Sequence, residues 1–186
     1  MAMIAGFAFS TAVLAQDAID REDHVLSDGR LSEQDLSAVV AVAQRHLKEM
    51  TNAVVKMAGD ELEEVGIFRP MAFMVMKSDK IQQMELEGQA EDAPGQIKVL
   101  MYRAGLKSIA RRGEIHAAVI AYPGSVEKYG KTIRTLVLEH EHRLGVSGFK
   151  LIPIKLKNGK ASFGEPMTQE KQFQVFYDEK EEGKGN

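Results

Sequence analysis

The sequence predicts an α+β protein in which two main helices pack on a single antiparallel β-sheet of about five strands. Three observations lead to this prediction. Apolar residues recur at helical spacing in two separate stretches, and runs typical of β-strands follow each stretch. The resulting order of elements is α-β-β-α-β-β-β, and short connections between neighbours join strands in that order into one sheet.

The first helix is predicted to begin at Ser32, where Ser32 and Asp35 form a capping pair. Its apolar positions recur over about 25 residues. They are Leu36, Val40, Ala43, Leu47, Met50, Val54 and Met57. Residues 68–76 follow as a strand with apolar residues on both faces, and residues 81–87 return as a more polar strand that we expect at the edge of the sheet.

The second helix follows a loop over residues 88–95 and ends before Gly113. Its helical spacing is carried by Ile97, Leu100, Met101 and Ala104. Basic residues occupy its last turn, where they favour the negative end of the helix dipole.

After Gly113 the period changes to two, which predicts strands at residues 115–122, 132–143 and 149–156. The middle segment is ambiguous, because its apolar residues also fit a helix; its β-branched residues favour a strand. Pro153 is expected to restrict the last strand to an edge or a bulge. Asn158-Gly159 predicts a two-residue hairpin turn, with short strand pieces at 162–164 and 172–177.

This order of elements is similar to that of roadblock-like, profilin-like and sensor-type domains. The resemblance is one of topology alone, and no residue motif accompanies it. A function does not follow from such a resemblance.

Residues 1–15 are uncharged and apolar, and small residues stand at Val13 and Ala15. This pattern predicts a signal peptide cleaved before Gln16, although the usual basic start is missing and a truncated beginning stays open. Residues 16–31 are interpreted as a flexible leader, 32–177 as a single domain, and 178–186 as a disordered tail. The expected localisation is therefore periplasmic or secreted.

Composition excludes several classes of function. The chain has no cysteine, which excludes disulfides, thiol catalysis and zinc–thiolate sites. Its formal net charge is −3 and no basic stripe is present, so we expect neither a nucleic-acid partner nor a membrane partner after cleavage. No cofactor is predicted.

The densest polar cluster is the run from Glu139 to Arg143. In a strand, His140 and His142 point the same way, and a neighbouring strand brings His116 within reach, so zinc or copper binding is one hypothesis. In a helix the two imidazoles diverge and the hypothesis fails. Because the ligand set is incomplete, we predict no metal site and interpret the run as a solvated strand end.

The candidate ligand-binding residues are Glu139, His140, His142 and His116. Glu139 and Glu141 are expected on a solvated edge, where nothing raises their pKa for acid catalysis. His116 fits a hydrogen-bonded core residue, and His46 fits the boundary of the first helix. No catalytic residue is predicted.

The preferred interpretation is an exported bacterial-type module that binds a small molecule or a protein without catalysis. Whether the protein is an enzyme stays open, although the sequence favours a protein without catalytic activity. One alternative is a metal-binding protein or metal-dependent enzyme that uses His140 and His142. Another is an assembly subunit that adds a strand at the edge formed by residues 81–87. A homo-oligomer is left open.

Overall fold

The computed structural model of the chain describes residues 33–128 and 130–177. The chain divides into two compact units, Met1–Val42 and Ala43–Asn186, and all contacts discussed below belong to the second. Four sequence predictions lie outside the described residues or side chains. They are the signal segment 1–15, the leader 16–31, the tail 178–186 and the capping pair of Ser32 with Asp35. They stay predictions, as does the single domain over 32–177.

The described residues form two α-helices, α1 (Glu33–Val65) and α2 (Gly95–Arg111), and a short 3-10 turn at Gly88–Ala90. The strands are β1 (Met71–Met76), β2 (Ile81–Met84), β3 (Ile115–Lys128), β4 (Lys131–His142), β5 (Val146–Lys157), β6 (Lys160–Phe163) and β7 (Met167–Glu170).

The strands form one sheet in the order β2-β1-β3-β4-β5-β6, with β7 also pairing to β5. Each of these pairings is antiparallel. The predicted α+β fold is thus confirmed, with seven strands where about five were expected. The ambiguous segment 132–143 is the strand β4, which pairs with β3 along its whole length.

The two helices cover opposite faces of the sheet. From Ala43 onward, α1 contributes Val54 and Leu62 to a core with Val119 and Leu138; we call this side the α1 face. On the other side, the α2 face, Leu106 packs into a core with alternating strand residues such as Ile120. Side chains of a strand point alternately to the two faces, so both faces of the central strands are buried.

Pro153 does not place its strand at an edge, because β5 has partners on both sides. On the side away from β4, β7 pairs with β5 up to Leu151 and β6 pairs with it from Ile154. Pro153 lies between the residues that pair with β7 and those that pair with β6. Its missing N–H therefore removes no hydrogen bond between strands at this position. Asn158 and Gly159 have φ angles of 52° and 73° and form the predicted hairpin turn.

Two further expectations need correction. The segment 172–177 is not a strand; the last strand among the described residues is β7, which ends before this segment begins. The apolar residues that indicate α2 from the sequence, Ile97, Leu100 and Met101, are exposed, whereas Tyr102 and Leu106 face the core. Among the described helices, none is long and apolar enough to cross a membrane.

Candidate functional site

The polar run at the end of β4 is buried and divided between the two faces of the sheet. Glu139, His140, Glu141 and His142 are between 0% and 8% exposed, so their interpretation as a solvated strand end is wrong. The reason is that β3 and β5 flank β4 along all four residues, while a helix covers each face. Alternation sends the histidines to the α1 face and the glutamates to the α2 face.

On the α1 face, three imidazoles from different elements meet, and we call them the histidine cluster: His46 of α1, His116 of β3 and His142 of β4. The ring of His46 stacks on His142 at a centroid distance of 5.3 Å and on His116 at 5.8 Å. His46 Nδ1 and His142 Nε2 are 3.0 Å apart. His46 is therefore fully buried in the core and is no boundary residue.

A β-bulge brings His116 into this cluster. Val75 pairs with Ala117, but the next residue, Met76, pairs with Ile115, so β3 carries one extra residue at His116. The extra residue reverses the alternation: Ile115 joins the α2-face core and His116 turns to His46 on the α1 face. Bulges commonly re-aim a side chain in this way.

The hydrogen bonds of the cluster run in one direction. The backbone N–H of Leu144 donates to His142 Nδ1 at 3.1 Å, so the proton of neutral His142 is assigned to Nε2. His142 Nε2–H then donates to His46 Nδ1, and His46 Nε2–H donates to Asp79 Oδ1 at 3.2 Å. Arg45 holds the other oxygen of Asp79 at 2.8 Å.

Burial keeps the imidazoles of His46 and His142 neutral. It lowers the pKa of His46 to about 4, against the opposing charge of Asp79. Burial also lowers the pKa of His142, and together with the neighbouring His46 and His116 it brings this pKa to about 3. For Asp79, burial raises the pKa, but the hydrogen bond from Arg45 and the charge of Arg45 outweigh it and leave the pKa low. The cluster thus joins neutral rings to an ionised carboxylate.

His140 lies on the same face but packs elsewhere. It stands opposite Gly148 of β5, and a Cβ at Gly148 would lie 3.3 Å from His140 Cε1 and 3.0 Å from the carbonyl oxygen of Gln169. Burial lowers the pKa of His140 to about 4, and the charge of Lys150 adds to the effect. Among the described residues, no group of three histidine or carboxylate side chains is arranged to hold a metal ion.

On the α2 face, two buried carboxylates are neutralised by cations. Arg103 of α2 binds both oxygens of Glu139, at 2.8 and 3.1 Å. Lys171, itself 3% exposed, pairs with Glu141 and lies 3.6 Å from Glu139. We call Glu139, Glu141, Arg103 and Lys171 the carboxylate network.

Glu141 also fixes the chain that follows β7. Its two oxygens accept the backbone N–H groups of Gln174, Val175 and Phe176 at 2.7 to 3.1 Å. Val175 packs into the α2-face core beneath this contact. Glu141 thus holds the segment 171–176 on the sheet, which is a structural task.

The four candidate residues therefore do not converge on one site. His116 and His142 meet in the histidine cluster, His140 lies apart from it, and Glu139 is on the opposite face. Sequence reasoning missed His46 and Asp79, which lie far from β4 along the chain. It also missed the partners of the glutamates, Arg103 and Lys171.

An open cleft of about 470 Å³ lies where β1 begins and β2 ends, between the end of α1 and the start of α2. Its charged lining consists of Glu61, Glu85, Glu87 and Glu91 with Arg69 and Lys98. Tyr102 reaches it from the buried side of α2 and is 6% exposed. Burial raises the pKa of Tyr102; the charge of Arg69 opposes this shift, and the charges of Glu61 and Glu85 add to it.

The sequence carries a signal for this cleft, namely three glutamates within residues 85–91, at the end of the predicted edge strand 81–87 and in the loop that follows. Comparisons of the chain with protein-family models, with curated proteins and with solved structures found no match.

Proposed function

We propose that this protein is an exported, non-catalytic module that binds a small molecule carrying a protonated amine in the cleft beside Tyr102. The observation that supports this most is the lining of the cleft, where four carboxylates and a phenol outnumber two cations. Its volume of about 470 Å³ suits a small ligand, since such sites usually measure about 300–1,000 Å³.

The distribution of charge favours an amine. The carboxylates come from α1 (Glu61), from the segment after β2 (Glu85 and Glu87) and from the loop before α2 (Glu91), so three different parts of the chain supply them. Glu61 already accepts the backbone N–H of Arg69 at 2.8 Å, which leaves the others to take a ligand. An ammonium group donates up to three hydrogen bonds and gains most from charged acceptors.

The buried ionisable groups elsewhere favour binding over catalysis. In the histidine cluster, both ring nitrogens of His46 and of His142 are engaged in hydrogen bonds. In the carboxylate network, Glu139 and Glu141 are held by cations and backbone N–H groups. A general acid or base must instead reach the group that it protonates or deprotonates.

Calorimetric titration with an alkyl diamine such as putrescine tests the proposal, with the dicarboxylate succinate as the control ligand. We expect binding of the diamine alone. Glu85→Gln should weaken it about tenfold, because a charge-assisted hydrogen bond is lost. Glu114→Gln, an exposed carboxylate paired with Arg112 outside the cleft, should leave it unchanged. Equal binding of succinate, or an unaffected Glu85→Gln variant, would contradict the proposal.

The export part of the proposal has its own test. The mass of the protein recovered from its native host should match a chain that begins at Gln16. Retention of residues 1–15 in that protein would contradict export by a cleaved signal.

A metal centre that uses His140 and His142 is the first alternative. It would need His142 to give up its hydrogen bond with His46 or with the backbone of Leu144. Elemental analysis of the purified protein and of the double His140→Ala, His142→Ala variant tests it. Stoichiometric zinc or copper that the variant loses would favour the metal centre over the non-catalytic module.

The second alternative, strand addition in an assembly, has one supporting observation. β2 is the terminal strand of the sheet and pairs with β1, so within the described residues its other edge is available. The exposed residue of this strand is Gln82. The N–H of Gln83 points away from β1, because hydrogen-bonded pairs alternate along this hairpin from Met76 and Lys80. Gln83→Pro removes that N–H and should abolish assembly if the edge is used.

A further inference from the structure

The outer surface of α2 carries an apolar stripe, which we call the α2 stripe: Ile97, Leu100, Met101 and Ala104. The first three are 44%, 56% and 37% exposed, and Ala104 is also exposed. They follow the spacing i, i+3, i+4, i+7, so they lie on one side of the helix. The opposite side already packs on the sheet through Tyr102 and Leu106.

The other helix has no such surface between Ala43 and Glu64, although Leu36 and Val40 are exposed nearer its start. From Ala43 to Glu64, the exposed residues of α1 are all polar. They are Gln44, Arg45, Lys48, Asn52, Lys56, Asp60, Glu63 and Glu64. A helix that is apolar on two sides is usually buried on both, so α2 is expected to pack against a second surface.

The charges around the α2 stripe are of opposite sign at its two ends. Glu91 and Asp92 are exposed just before the helix, and Lys107 and Arg111 continue the line of the stripe three and seven residues after Ala104. Two copies in antiparallel orientation place each acidic end beside a basic end. A parallel orientation would place like charges together, which costs free energy.

We propose that the α2 stripe is the interface of a homodimer, in which two copies pack α2 against α2 in antiparallel orientation. The two-fold axis passes between Leu100 and Met101, the midpoint of the stripe. A two-fold interface requires one patch that is complementary to itself, and an apolar centre with oppositely charged ends meets that requirement. Asp92 then lies near Lys107 of the partner subunit.

Sedimentation of the full chain over a concentration series tests this proposal. We expect a reversible dimer. Leu100→Lys should raise its dissociation constant about tenfold or more, because a charge enters the apolar centre. Leu100 is exposed, so the variant should unfold at the same denaturant concentration as the wild type at a protein concentration where both are monomeric. Val65→Lys is the matched control, since Val65 is 65% exposed at the end of α1.

The orientation has a separate test. Asp92→Lys should weaken the dimer, and adding Lys107→Glu to the same chain should restore it, because each copy then presents the exchanged pair. A monomer at every concentration would overturn the proposal. Dimerisation that is unchanged in Leu100→Lys would also overturn the proposal. That result is expected if the apolar residues 1–15, and not the α2 stripe, cause the association. If the double variant dimerises more weakly than Asp92→Lys alone, the antiparallel orientation is wrong.

Discussion

The two faces of the sheet meet the cost of burying polar groups in different ways, at the same end of β4. On the α1 face, His142 and His46 are kept neutral and share one hydrogen bond. On the α2 face, Glu139 and Glu141 are matched by Arg103 and Lys171. Neighbouring residues of a single strand thus experience two distinct electrostatic environments.

The difference teaches what each face tolerates. A buried neutral imidazole needs only hydrogen-bond partners, whereas a buried carboxylate needs a counter-charge as well. Loss of one partner should therefore cost more in the carboxylate network than in the histidine cluster. Acid should weaken the stabilisation from the histidine cluster, because His46 and His142 of the unfolded chain take up protons at a pH where the buried rings stay neutral.

The largest effect is expected for Glu141→Ala. The change removes the acceptor of three backbone N–H groups and leaves Lys171 buried without its closest carboxylate. Breaking a buried pair in this way costs about 3–5 kcal/mol, so the free energy of unfolding in urea at neutral pH should fall by that amount.

The matched control for this prediction is Glu170→Ala, which removes an exposed glutamate of β7, the strand that pairs with β5. It should change stability by less than about 0.5 kcal/mol. A Glu141→Ala variant as stable as Glu170→Ala would show that the carboxylate network does not hold the segment 171–176 on the sheet.

The next largest effect is the pH dependence of the histidine cluster. Folding lowers the pKa of His46 from 6.5 to about 4 and that of His142 from 6.5 to about 3. Between those values the unfolded chain binds more protons than the folded chain. The stabilisation is thus complete above pH 6.5 and is lost as the pH falls towards 4, by roughly 3 kcal/mol for His46.

Urea unfolding from pH 7 to pH 5 checks this prediction in the wild type and in His142→Gln. The variant should be less stable at pH 7 and should lose less stability on acidification. Glu114→Gln is the control, because Glu114 is exposed and its hydrogen bond with Arg112 lowers its pKa further from this range. If the free energy of unfolding fell equally with pH in the wild type and in His142→Gln, the pH dependence would not come from the histidine cluster.

Much of the fold followed from local pattern. The β-branched residues of 132–143 correctly favoured a strand, and alternation correctly placed His140 and His142 on one face. The pattern could not show burial, because charged and imidazole side chains usually mark a solvated strand. Here Arg103 and Lys171, which are distant in sequence, neutralise the charges of the buried glutamates.

The histidine cluster depends on geometry that no local pattern carries. His116 reaches it through a one-residue bulge, and His46 comes from a helix 96 positions before His142. In α2, both sides of the helix are apolar, so periodicity indicated the helix without showing which side faces the core. Packing alone selects Tyr102 and Leu106 for the interior.

The smallest effect is expected for an ion pair that has the chemistry of the carboxylate network without its burial. Lys160 lies 2.7 Å from Glu63, a distance typical of a good ion pair, yet its side chain is 81% exposed. Water already solvates both charges, so Lys160→Ala should leave the urea midpoint within experimental error. Lys171→Ala removes the same type of side chain from a site that is 3% exposed, and it should lower the midpoint clearly. If the two variants behaved alike, burial would not explain why the two faces of the sheet need different partners for their polar groups.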